Sequence, residues 1–210
     1  MKKTVLIIII CFLQSAISKG QTVEEFFLSM PSEMTPTINQ AKRLDLIDLY
    51  KVGKKAEIQD IFNKACSLTA LQDDYIRIEN ETNSLELISL PMINDSQLLL
   101  IVKTVCASVC DSELHFYTVQ WKKLETGSFL NPVGKEWFIR DEINTNDQEV
   151  KNTLLFLDID FMKFSYDPEK QSLSQEYQTP LYLDLDQKEK VKNYLRQEIK
   201  TYHWTGVRFE

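Results

Sequence analysis

Between Ser67 and Trp121 this chain takes on a strand-like period, in alternating or continuously apolar runs joined by connections that are short and rich in Asn, Asp, Ser or Pro. Alternation of that kind places successive side chains on opposite faces of an extended strand, and such connections suit antiparallel neighbours better than crossover helices. Tyr75–Glu79 puts Ile76 and Ile78 on one face, Leu85–Leu90 is a second run ended by Pro91, and Glu113–Trp121 is a fourth. The third run, Gln97–Cys106, is the most apolar segment and reads as a central strand covered on both faces.

Helical signals flank these strands. Val23–Met30 reads as a short helix stopped by Pro31. A second helix is predicted from about Thr37 to Val52, with Ile38, Leu46, Leu49 and Tyr50 as its apolar stripe, Lys42 and Asp45 interrupting it, and Gly53 as its stop. Ala56–Lys64 reads as another short helix. Residues 125–152 are irregular, with Trp137–Ile139 as an edge strand within them. Leu154–Tyr166 then reads as a long strand, Asp167–Glu169 as a turn and Ser172–Thr179 as the return strand. Asp186 and Glu189 form a capping signature for a last helix with Val191, Leu195, Ile199 and Tyr202 as its stripe, and Tyr202–Phe209 is a closing strand. The expected fold is α+β: a mostly antiparallel sheet of about six to eight strands with N-terminal helices and a C-terminal amphipathic helix. Residues 21–210 are expected to form a single domain, with a two-lobed sheet joined at about 125–152 as the variant.

Residues 1–20 read as a secretory signal peptide: Lys2 and Lys3, then an apolar run from Val5 to Leu13, then small residues around Ala16. The run is too short for a membrane span, which needs about 20 residues. The expected product is exported to the periplasm or beyond, with no stable membrane insertion after cleavage. The whole chain has a formal net charge of -7; without Lys2, Lys3 and Lys19, 21 bases face 31 acids and the charge is -10. Such a surface repels phosphate backbones, which argues against nucleic acid as a partner.

Export permits a disulfide, and Cys66, Cys106 and Cys110 remain after cleavage. On one extended strand Cys106 and Cys110 would stand ~13 Å apart, beyond the Cα limit of about 7 Å. They can pair only if Ala107–Val109 turns back. The other reading makes all three cysteines small core hydrophobes.

Few chemistries find their parts. The five glycines never cluster, so neither a dinucleotide fingerprint nor a phosphate-binding loop is present, and no cofactor is expected. His115 and His203 stand alone, which gives no zinc spacing, and the alternating acids at Asp158–Asp160 and Asp184–Asp186 lack the rest of a calcium loop. No serine sits in a nucleophile elbow. Asp158 and Asp160 on a strand would project from one face about 6.6 Å apart, and with Glu198 they carry an alternative reading as a hydrolase of envelope or glycan substrates. Asp158 and Asp160 equally suit a solvent-facing edge, and Glu198 a rim position. On Glu113–Trp121 the odd positions align His115, Tyr117 and Trp121, a strip that suits a sugar ring or a partner surface if exposed, and ordinary core if not.

Three segments, Met30–Asp48 (MPSEMTPTINQAKRLDLID), Leu68–Glu79 (LTALQDDYIRIE) and Thr104–Trp121 (TVCASVCDSELHFYTVQW), together with the leader, resemble a domain-of-unknown-function family of exported proteins from Bacteroidales-type bacteria. The resemblance implies a Gram-negative envelope or secreted location. It carries no catalytic residues, because the matching stretches are core patterns and turns. The expectation is a non-enzymatic binding or accessory module of the envelope, with a protein or a glycan as partner.

Overall fold

The computed structural model describes residues 20–210, so residues 1–19 of the leader lie outside the described residues. The fold is α+β. Seven strands form one sheet in chain order, every neighbour antiparallel: β1 (Glu57–Gln59), β2 (Ala65–Leu71), β3 (Tyr75–Glu79), β4 (Asn83–Pro91), β5 (Gln97–Cys106), β6 (Cys110–Thr118) and β7 (Lys123–Leu124). The strict alternation has a direct packing result. On β5, Leu99 and Ile101 enter one core while Leu98, Leu100 and Val102 enter another, and all five are buried.

Two helices close the first core. α1 (Val23–Ser29) starts at Thr22 with a reciprocal capping box to Glu25 and buries Val23, Phe26 and Phe27. α2 (Gln40–Lys51) is capped by Asn39 and ends before Gly53, whose φ of 70° supplies the left-handed stop. It buries Leu46 and Ile47 but also Arg43, while Tyr50, expected on the stripe, is exposed.

The second core lies between the large sheet and a three-stranded sheet ordered β10-β9-β8, made from β8 (Met162–Asp167), β9 (Ser172–Tyr177) and β10 (Lys200–His203). β8 lies at an edge of its sheet with only β9 beside it, yet its outward amides are not bare. The N–H groups of Met162, Phe164 and Tyr166 donate to Asp111 Oδ1 (2.9 Å), Ser112 Oγ (3.0 Å) and Glu86 Oε2 (3.1 Å), all on the large sheet. Side chains thus finish an edge that would otherwise invite another chain.

A third, smaller cluster of Leu157, Val191 and Leu195 holds the remaining helices: α3 (Gln148–Leu154), α4 (Thr179–Tyr182) and α5 (Leu185–Lys192).

Four segments differ from expectation, and in three of them a carboxylate decides the outcome. Ala56–Lys64 is not a helix: Asp60 Oδ1 accepts from the amides of Phe62 and Lys64, Asn63 turns left-handed, and the chain reverses as the β1–β2 hairpin. Leu154–Tyr166 is not one strand: Asp147 caps α3, which runs through Leu154, and only Met162–Asp167 is extended. The last helix is capped by Asp184 instead of Asp186 and ends at Lys192. Leu195 therefore packs from a bridge to Ile139, Tyr202 from β10, and Ile199 is exposed. Lys135–Phe138 is a 3-10 turn, not an edge strand, begun by the Trp137 amide donating to the Gly134 carbonyl.

Candidate functional site

At one end of the first core, Ile78, Leu85 and Lys103 stand in one row across β3, β4 and β5, because Ile78 pairs with Leu85 and Leu85 with Lys103. Cys66 and Val105 extend the same face, and the segment Met34–Ile38 forms the opposite wall. The result is an open groove of about 250 Å³ with a mainly apolar lining.

The wall is held by Arg43. Its guanidinium, buried beneath α1, donates to the carbonyls of Met30 (2.8 Å) and Leu28 (3.2 Å) and to Thr35 Oγ1, and lies 5.9 Å from the centre of the Phe27 ring. Burial pushes its pKa down from the usual arginine value, but a guanidinium starts so high that the charge persists. The opposite rim is a tight turn in which Asn80 Oδ1 accepts from the amides of Thr82 and Asn83.

Among the lining residues Glu79, Lys103 and Cys66 are the titratable ones, beside the hydroxyls and amides of Thr35, Thr37, Asn80, Asn83, Ser84 and Thr104. Glu79 is engaged by Arg77 Nε at 3.0 Å. Lys103 forms no ion pair among the described residues, although Glu113 is its cross-strand partner. Cys66 is buried and its thiol is pushed up to about 11, by burial first and by nearby Asp60 second. It is therefore a thiol, not a thiolate, at neutral pH. Immediately beyond Val105, Cys106 and Cys110 are register partners with Cα atoms 4.0 Å apart and their sulfurs joined, the chain turning back through Ala107–Val109.

His115, Tyr117 and Trp121 do share a face, but it is not an exposed strip. Tyr117 is buried in the core closed by the helices, 5.8 Å from the Trp121 ring, and the half-buried Trp121 donates from Nε1 to Ser29 Oγ on α1. Trp121 sits at φ 64°, a conformation that bulky residues rarely adopt, in the turn after β6. His115 reaches the surface beside Glu113. Leu114 and Phe116, on the other face of β6, pack into the second core, against the small sheet.

The acids do not converge. Asp158 and Asp160 lie in the loop after α3, Asp158 exposed and Asp160 paired with Lys135 at 3.6 Å. Glu198 is exposed on a separate concavity with Phe138 and Leu195. Among the described residues no three His, Cys, Asp or Glu side chains are grouped to hold a metal ion, and no helix is long and apolar enough to cross a membrane.

These features define an α+β protein with one large antiparallel sheet, helices over one face and a small sheet against the other. The chain belongs to the DUF3256 family, described as a protein of unknown function, whose profile matches residues 15–209. The same fold occurs in a solved domain of an uncharacterized protein from Porphyromonas gingivalis W83, with a TM-score of 0.80 and 24% identity over 91% of this chain and 98% of that one. The chain matches no curated protein.

Proposed function

We propose that this protein is an exported, non-enzymatic binding module of a bacterial envelope, and that it takes an apolar group of its partner in the groove between Met34–Ile38 and the ends of β3–β5. The carrying observation is the character of that groove. Its exposed lining is mainly apolar, its one thiol is protonated, its one carboxylate is engaged by Arg77, and no histidine lines it beside the Ser and Thr hydroxyls. A hydrolytic site needs an acid and a base aimed at a common point. Its volume lies below the ~300–1,000 Å³ usual for whole small-molecule ligands, which suits one apolar side chain or one sugar ring. Export is supported by the pattern of residues 2–20.

The test is an amide-detected NMR titration with capped apolar dipeptides and N-acetylated monosaccharides. The expected result is perturbation of Thr35–Ile38 and Lys103–Val105, lost in Val105→Asp, which alters an exposed rim residue without disturbing the core. Turnover of a glycan or peptide substrate, or perturbation confined to other faces, overturns the reading. Cell fractionation tests the address: intact precursor in the cytoplasm is the contrary outcome.

A further inference from the structure

Lys103 is the one cation on the lining of the groove, half-buried there, and it forms no ion pair among the described residues. The carboxylates of the neighbouring strands and turns are engaged elsewhere. Glu79 meets Arg77 at 3.0 Å, and Glu113, across from Lys103 in register, meets His115 at 3.3 Å. Asp111, the register partner of Val105, accepts from the Met162 amide, and Asp60 accepts from the amides of Phe62 and Lys64. A half-buried ammonium without a counter-charge is a costly thing to keep, and an anion that enters the groove relieves the cost.

Two neutral donors stand on other sides of the same lining. The Asn80 oxygen is taken by the amides of Thr82 and Asn83, which leaves its Nδ2 to donate. Thr37 gives its carbonyl to the Ile61 amide and keeps its hydroxyl. One ammonium matches one negative charge, and the surrounding body, of formal charge -10 without residues 1–20, disfavours polyanions and anionic lipid surfaces. A sugar ring brings no charge for Lys103. A fatty acid brings the charge but nothing for Asn80 or Thr37. The end of a polypeptide brings an apolar side chain, a single carboxylate and a peptide carbonyl together. We infer that the groove holds the C-terminal residue of a partner polypeptide, its side chain against Ile78, Leu85 and Val105, its carboxylate on Lys103, and its last peptide carbonyl accepting from Asn80 or Thr37. This rests on the reading of the groove as a binding site and adds the chemistry of what enters it.

The probes are acetyl-alanyl-leucine with a free carboxylate, the same dipeptide closed as its C-terminal amide, octanoate and N-acetylglucosamine, each titrated into the protein and followed by amide NMR. The dipeptide acid should perturb Thr35–Ile38 and Lys103–Val105 and bind about tenfold or more tightly than the amide, the margin of a charge-assisted hydrogen bond. Lys103→Gln should erase that margin by weakening the acid alone, Lys103→Arg should keep most of it, and added salt should narrow it. The acid–amide comparison on the native protein needs no variant, so a substitution that unfolds the chain does not decide the matter. Equal binding of acid and amide in the groove overturns this inference and leaves the groove reading standing. So does a margin that survives Lys103→Gln. Octanoate binding as tightly as the dipeptide acid, or the sugar binding more tightly than it, overturns the polypeptide end. Absence of perturbation in the groove with every probe overturns both readings.

Discussion

Glu86 is the residue on which the two sheets most directly meet. Almost wholly buried, it accepts from the Tyr166 amide and the Tyr75 hydroxyl (each 3.1 Å) and pairs with Arg77 at 3.4 Å across β3–β4. Burial raises its pKa above 4.5 and outweighs the Tyr166 amide, Arg77, Tyr75 and Lys163, all of which favour the charged form. The sign follows from linkage. Between the free glutamate value and the raised one, the folded state binds more protons than the unfolded state, so stability falls as pH rises through that window and is level above it. Glu86→Gln removes this proton. Urea melts of the two proteins at a series of pH values should show the native protein losing ground to Glu86→Gln as pH is raised from about 4.5. A pH-independent difference would mean that the carboxylate titrates alike in both states.

Among the elements, the β5–β6 hairpin has the widest reach. Its disulfide fixes the residues just before Asp111 and Ser112, which satisfy two of the three β8 amides. Closing so short a loop removes little unfolded-state entropy, on the order of 2 kcal/mol. Replacing both Cys106 and Cys110 by serine should therefore leave the fold intact, with a loss of at most about 2 kcal/mol. Hydrogen exchange should quicken at Met162 and Phe164 and stay slow at Tyr166, whose acceptor lies on β4. Uniform quickening at all three would mean that the hairpin does not govern the contact. Strands β3 to β6 were legible in the sequence as alternating or continuously apolar runs bounded by turn residues, whereas β1, β2 and β7 were not. Nor were the segments 56–64 and 154–161. Asp60 and Asp147 each capture backbone amides locally, one making a turn and the other a helix, and composition does not distinguish the two. The groove was hidden for another reason: Ile78, Leu85 and Lys103 become neighbours only through inter-strand register, and Arg43 looks like a surface base on a helix.

At the scale of the whole molecule, three cores of unequal size imply unequal resistance to opening. β4 and β5 are buried on both faces, β8–β10 are covered on one, and α3–α5 rest on three fully buried side chains. Native-state hydrogen exchange should rank them in that order, with the α3–α5 lobe opening first. Equal protection throughout would show a single cooperative unit. The borrowed partners of β8 carry one more consequence. The three acceptors, Glu86, Asp111 and Ser112, precede in the chain the three donors they serve. A polypeptide that emerges from its N-terminal end has its mooring posts standing before the strand to be tied arrives, whereas the late strands, emerging alone, would offer a bare backbone to any passing chain.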